Sequence, residues 1–174
     1  MAKIEINRLT NANVYLDGSN NLLGRVEEIT LPEIKMKMAE HKALGMVGSI
    51  EAFSGFEKLE GKIKWSSLYP DAMKKTANPF KSYDIQVRGS LESWTGQGRT
   101  EQKPVVVNLK VTFKKFPGGN FKPQDNVELE TDFACTYMKT TVAGEAVVEI
   151  DVLENIYKAG GVDMLAQYRS NIGG

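Results

Sequence analysis

The residues best equipped for chemistry are few. His41 is the only histidine and Cys135 the only cysteine, whereas a structural zinc site takes about four such ligands. Counting leaves a Ser-His-Asp triad open, but no serine stands in the Gly-X-Ser-X-Gly context of a nucleophile elbow. His41 therefore reads as a loop or interface residue. Cys135 falls on the apolar side of a strand pattern, so a buried, inert thiol is expected. Gly96-X-Gly98 followed by Arg99 imitates a phosphate loop, yet no helix pattern follows to supply an N-terminal dipole. A hairpin tip is the better reading. Glu128, Glu130 and Asp132 resemble metal or acid–base carboxylates, but period two sets strand neighbours on one face about 7 Å apart, as on any solvated face. Lys58, Lys62 and Lys64 suggest phosphate contacts, but Glu60 interrupts them and no aromatics lie between to stack on bases. No catalytic residue, metal or cofactor emerges.

The elements that would position these side chains are mostly strands. Asp17-Gly18 closes a short strand over 11–18 with a strong turn dipeptide. A strand over about 28–38 breaks at Pro32, which cannot donate to a ladder, and the apolar alternation slips one position there. The next strand, about 56–65, sets Leu59, Ile63 and Trp65 against Lys58, Glu60, Lys62 and Lys64. A helix follows around Pro70, with Asp71 near its positive end, Lys74 and Lys75 near its negative end, and Asn78-Pro79 as its stop. Strands are expected over 82–94, 103–116 and 126–140, the last with Val127, Leu129, Phe133, Cys135 and Tyr137 on its apolar side. A turn at Ala143-Gly144 and a further strand precede a short terminal helix, with Asp163 as candidate N-cap and Gly173 beyond its end. These signals describe one domain over residues 1–174: an antiparallel sandwich or barrel of seven or eight strands with one or two short helices.

Composition narrows the partners. Lysine plus arginine and aspartate plus glutamate both number 22, so no global charge announces nucleic acid or membrane. No apolar run approaches the ~20 residues of a membrane helix, and Met1 leads into no signal-like segment. One cysteine and no Asn-X-Ser/Thr sequon make folding in a reducing cytosol the expectation. One stretch stands apart: between Lys42 and Ser49 the loop is Ala-Leu-Gly-Met-Val-Gly, apolar where Asn, Asp and Ser are usual.

Three stretches together carry a resemblance. They are "LTNANVYLDG" (9–18), "ITLPEIKMKM" with its "LGMVG" loop (29–48), and "NIYKAGGVDMLAQYRSNIGG" (155–174). In order and spacing the chain resembles the major tail tube protein of contractile-tailed, P2-like phages and is similar to R-type bacteriocin tube proteins. The resemblance implies a non-enzymatic structural protein whose hexameric rings stack into a hollow tube, their strands joining a multi-subunit inner β-barrel. It implies as partners the chain itself, a tail sheath protein, tape-measure protein, and baseplate and tail-terminator proteins, with DNA passing non-specifically through the lumen and no membrane anchor. The protein would reside in the virion, after assembly in the host bacterial cytoplasm.

Interface residues expected on this basis are Leu44, Gly45, Met46 and Val47, with Tyr15, Asp163 and Arg169. A hairpin of strand 28–38 and a partner near 50–65 would face the lumen. Its polar side, Glu33, Lys35 and Lys37 with Lys58, Glu60, Lys62 and Lys64, is one candidate lining. The acidic face of Glu128, Glu130 and Asp132 is another. A DNA conduit should avoid phosphate contacts that add counterion-release affinity, so either the acidic face points inward or glutamates of adjacent strands neutralise the lysines. The rivals are the tube of a headless contractile particle, a monomeric β-sandwich binding module with Trp94 facing outward, and a hydrolase of unrecognised type.

Overall fold

Alternation and turn residues resolve into strands β1 (Ile6–Leu16), β2 (Asn20–Asn21), β3 (Val26–Thr30), β4 (Met36–His41), β5 (Ile50–Phe56), β6 (Leu59–Trp65), β7 (Tyr83–Thr95), β8 (Gly98–Phe113), β9 (Leu129–Val142), β10 (Glu145–Asp151), β11 (Ile156–Ala159) and β12 (Val162–Asp163). Helices α1 (Pro70–Thr76) and α2 (Ala166–Ile172) complete the chain. This is a computed structural model, and it describes residues 4–174. The fold is mostly antiparallel β with two short helices, as the alternation requires. Among the described residues twelve strands replace the seven or eight expected, because the stretches 28–38 and 50–65 each divide, β11 adds a short strand, and β2 and β12 span only two residues each.

Ten strands form one sheet, in the order β12-β11-β10-β9-β8-β7-β1-β2, and β3-β6 joins it at β9. Strand β9 is the pivot. Its residues Leu129–Cys135 pair with β6, and Tyr137–Val142 pair with β10. Between them Thr136 is skipped in the register with β8, where Lys110 faces Tyr137 and Val111 faces Cys135. One extra residue reverses the side-chain phase. Leu129, Phe133 and Cys135 therefore point into the core, but Met138 takes the next inward place. Tyr137, expected on the apolar side, instead lies half-buried on the other face and donates to a Glu149 carboxylate oxygen at 3.0 Å.

The core gathers Trp65, Phe113 and Phe133 among aliphatic residues from most of the main sheet. Each buried side chain of that size contributes roughly 2–3 kcal/mol. The Trp65 indole N–H donates to the Thr131 hydroxyl at 3.0 Å, so the tryptophan buries no unpaired donor. Gly61 is required for close approach. A Cβ there would sit 2.4 Å from the Phe133 ring and 2.5 Å from the carbonyl oxygen of Thr30.

The turn and helix signals translate directly. Ala143 and Gly144 adopt positive φ in the β9–β10 turn, and Thr95 faces Gly98 across the β7–β8 tip. Pro70 opens α1, whose Asp71 pairs with Arg25 and whose Lys75 pairs with Asp17. Gly173 caps α2 in the left-handed region at φ 84°. Asp163, the expected N-cap, belongs instead to β12, because the chain makes a further turn before the helix and Leu165 stands at the cap.

The long strand over 28–38 does not exist. Strand β3 ends at Thr30 and pairs with β6, residues 31–35 leave regular structure around Pro32, and β4 pairs only with β5. The hairpin is therefore 36–56, a two-stranded sheet separate from the main one. The expected strand 56–65 begins at Leu59, and Lys58 lies just ahead of it.

A projecting hairpin as the candidate assembly interface

Strands β4 and β5 exist because Met36, Met38, Phe53 and Phe56 share one face. Met36 lies opposite Phe56 and Met38 opposite Phe53, with Ser54 bulged between the pairs. The Phe53 and Phe56 rings meet edge to face at 5.0 Å, and Phe56 leans on Tyr157 of β11 at 4.8 Å. These contacts anchor the base of the hairpin. Every residue of β4, and β5 from Ile50 to Phe53, is exposed. A two-stranded hairpin is marginal in water on its own, and this one carries Met36, Met38, Ile50 and Phe53 in solvent.

The tip is more extreme. Leu44 and Val47 are 105% and 108% exposed, whereas Met46 keeps 40% of its surface. Among the described residues nothing covers the Leu44 and Val47 side chains. Gly45, between Leu44 and Met46, is likewise exposed. Exposed apolar patches of this kind mark interaction sites rather than free surface.

The β6 part of the first lining candidate and the acidic face form one surface, and the rest of that candidate lies apart from it. Glu33 and Lys35 lie in the irregular link and pair with each other at 3.4 Å, and Lys37 lies on β4. Lys58 to Lys64 belong not to that hairpin but to the segment entering and forming β6. That strand is bound to β9, where Lys62 stands opposite Asp132 and Lys64 opposite Glu130. Lys62 reaches Glu130 at 3.4 Å, Lys64 reaches Glu27 at 3.1 Å, and Lys58 and Lys114 both bind Glu60. Lys115 lies between Glu130 and Asp132. The two lysines at Glu60 hold its carboxyl below the ordinary range, and Glu27 holds the Lys64 ammonium above its own. Glu128 falls just before β9 and is exposed. The result is a charge mosaic in which lysines have carboxylate neighbours.

The remaining site residues lie elsewhere. Tyr15 is half-buried on β1 with the Arg88 guanidinium 4.8 Å above its ring. Asp163 accepts from the Leu165 backbone N–H at 3.1 Å and binds Arg169 at 2.5 Å, an ion pair that holds its carboxyl below the usual range. That pair ties α2 to the β11–β12 corner within the chain. His41 ends β4 opposite Ile50, in solvent. Cys135 is buried, and burial pushes its thiol up to about 11, which removes the thiolate needed for reactivity. The Gly96–Arg99 segment is a hairpin tip whose Arg99 binds Glu92 at 2.9 Å. Trp94 is half-buried and donates to Glu92. Among the described residues no three His, Cys, Asp or Glu side chains converge to hold a metal, and no helix is long and apolar enough to cross a membrane.

Sequence reasoning missed a groove at the hairpin's base. It has a volume of about 660 Å³ and runs between β5, β6, β9, β10 and α2. Its walls include Phe53, Phe56, Ile150, Val152 and Tyr168, residues far apart in sequence that no local pattern connects.

Among the described residues the β4–β5 hairpin pairs with no other strand and carries exposed apolar side chains. The sequence model of phage tail tube protein FII matches residues 6–173. The chain belongs to that tail tube family. It is 30% identical over 165 residues to the tail tube protein of Escherichia phage P2, covering 92% of this chain and 94% of the relative. It is 23% identical to the major tail tube protein of Serratia phage KSP20, covering 87% and 86%. Two solved structures share the fold. The sheath/tube terminator of PVC, an extracellular contractile injection system, has a TM-score of 0.56 at 12% identity, over 75% of this chain and 92% of that one. A chain of the PVC sheath–tube complex has a TM-score of 0.56 at 11% identity, over 75% and 87%. The relatives in this tail tube family are structural proteins of the virion, and the β-fold with two short helices fits that membership.

Proposed function

We propose that this chain, acting as one domain, is the subunit of the inner tube of a contractile phage tail. Hexameric rings stack into a hollow cylinder, strands of neighbouring copies join an inner β-barrel, and a sheath surrounds it. Tape-measure protein fills the lumen before ejection, DNA passes through it during ejection, and baseplate and terminator proteins close the ends. Assembly takes place in the host cytoplasm, and the protein performs no catalysis.

The observation that carries this reading is the β4–β5 hairpin. Its outer edges have no ladder partner within the described residues, and its apolar side chains have little cover. Pairing those edges with neighbouring copies satisfies their N–H and C=O groups and removes the aggregation hazard of free edges. Leu44, Gly45, Met46 and Val47 then enter contacts with a neighbouring subunit, while Tyr15, Asp163 and Arg169 flank further contact surfaces. The mosaic of Lys58, Glu60, Lys62, Lys64, Glu130 and Asp132, with Lys37 on the hairpin, is the lumen candidate. Lysines already paired with carboxylates release few counterions to a passing polyanion. Negative-stain electron microscopy of the purified protein tests the proposal. Rings or open-ended tubes are expected, and a strict monomer at high concentration would refute it.

A further inference from the structure

The apolar tip and the apolar groove lie at opposite ends of one hairpin. Strand β4 has six residues and rises about 20 Å from the groove to the loop. The β4–β5 ladder holds that loop extended, so a subunit cannot fold its own tip back into its own groove. We infer that the Leu44–Val47 tip of one copy docks in the groove walled by Phe56, Ile150, Val152 and Tyr168 of the next. This deepens the tube reading above and rests on it, since it names the receiving surface on the neighbour.

Complementarity selects a second copy as the occupant. The tip offers Leu44, Met46 and Val47 on a narrow turn, with Lys42 just before them and in no ion pair among the described residues. The groove offers apolar walls, and its rim carries Glu57 and Asp151, neither of them bound to a lysine or arginine among the described residues, beside Lys58, which is paired with Glu60. An apolar tip with one unpaired lysine at its neck, above the facing Glu40 and Glu51, thus meets an apolar slot with two unpaired carboxylates on its rim. Tip and groove are different patches, so the contact is head to tail and each copy both gives and receives one. Such a contact propagates without end, as a stack of rings must. The exposed walls need cover for the same reason as the tip: Val152 and Tyr168 are about half exposed.

Cysteine cross-linking decides the matter. In a Cys135→Ala background, Val47→Cys places a thiol at the tip and Val152→Cys one on the groove wall; both parent side chains are exposed, so the fold should survive. Oxidising tubes of the double variant is expected to give a covalent ladder on a denaturing gel, while each single variant stays at monomer mass. Mixing the two single variants should give dimers and nothing longer. Tubes that form normally without any ladder would overturn the groove assignment and leave the tube reading standing; wild-type protein that never forms tubes would overturn both. Should the cysteines themselves block assembly, a charge exchange replaces them. Lys42→Glu is expected to raise the concentration needed for tubes at least fivefold, and adding Glu57→Lys should restore most of it. Failure of that rescue refutes the docking.

Discussion

Leu44 is where the assembly argument can be put in numbers. Its side chain is 105% exposed in the single chain, so the whole of it is available to be buried by a neighbour. Full burial of a leucine side chain stabilises by roughly 1.5–3 kcal/mol, and alanine keeps only the first carbon of that gain. Leu44→Ala should therefore weaken each subunit addition by about 2 kcal/mol. Because 1.4 kcal/mol is tenfold, the critical concentration for tube growth should rise about 30-fold. Met46 begins with only 40% of its surface exposed and has correspondingly less to gain. Met46→Ala should cost about 1 kcal/mol, or about fivefold. Sedimentation of tubes over a concentration series measures both thresholds. The unassembled Leu44→Ala chain should melt as wild type does, within about 0.5 kcal/mol, because the side chain is fully exposed among the described residues. A threshold within threefold of wild type, or a greater effect at Met46 than at Leu44, would refute the claim that the tip is buried on assembly.

Four further outcomes follow from individual contacts. Leu44→Asp should abolish tubes while leaving the circular dichroism of the monomer unchanged, and it supplies a background in which folding can be measured without assembly. In that background Gly61→Ala should lower stability by about 3 kcal/mol, because the new carbon meets an immovable carbonyl and a buried ring. That corresponds to a fall in melting temperature of about 6–12 °C; a drop below 2 °C would show that β3 and β6 can part at little cost. Asp163→Asn should loosen α2 and lower the melting temperature at pH 7. Since Arg169 holds the native Asp163 carboxyl below its unfolded range, the pair stabilises above that range and loses its effect as pH falls through the native value. The gap between wild type and Asp163→Asn should close in strong acid, and a gap that persists would mean another contact holds the helix. Cys135 should resist alkylation at neutral pH and react only as the solution approaches about pH 11 or on unfolding; rapid labelling of the native protein at pH 7 would contradict its burial.

The signals written in adjacent residues were legible. Asp17-Gly18 and Ala143-Gly144 became turns, Pro70 with Asp71 and Lys75 became α1, and the alternation of Leu59, Ile63 and Trp65 became the buried face of β6. Signals that depend on a partner strand were misread. The proline break at 32 looked like a bulge within one strand, but the two halves pair with different partners, β6 and β5. The bulge at Thr136, which turns Tyr137 away from the core, is set by register against β8 and has no glycine or proline to mark it.

By itself the sequence determined an antiparallel β-protein with one inert thiol and a greasy loop at 43–48, because side-chain period, turn chemistry and composition act over a few residues at a time. Only the tertiary structure decided that Lys62 and Lys64 stand opposite Asp132 and Glu130, which joins the β6 lysines and the acidic face in one mosaic of mixed charge. Only it decided that Ile150, Val152 and Tyr168 converge with Phe56 into a slot. Such placements arise from sheet register between distant segments, and register follows from the packing of the whole core, which no short stretch of chain encodes.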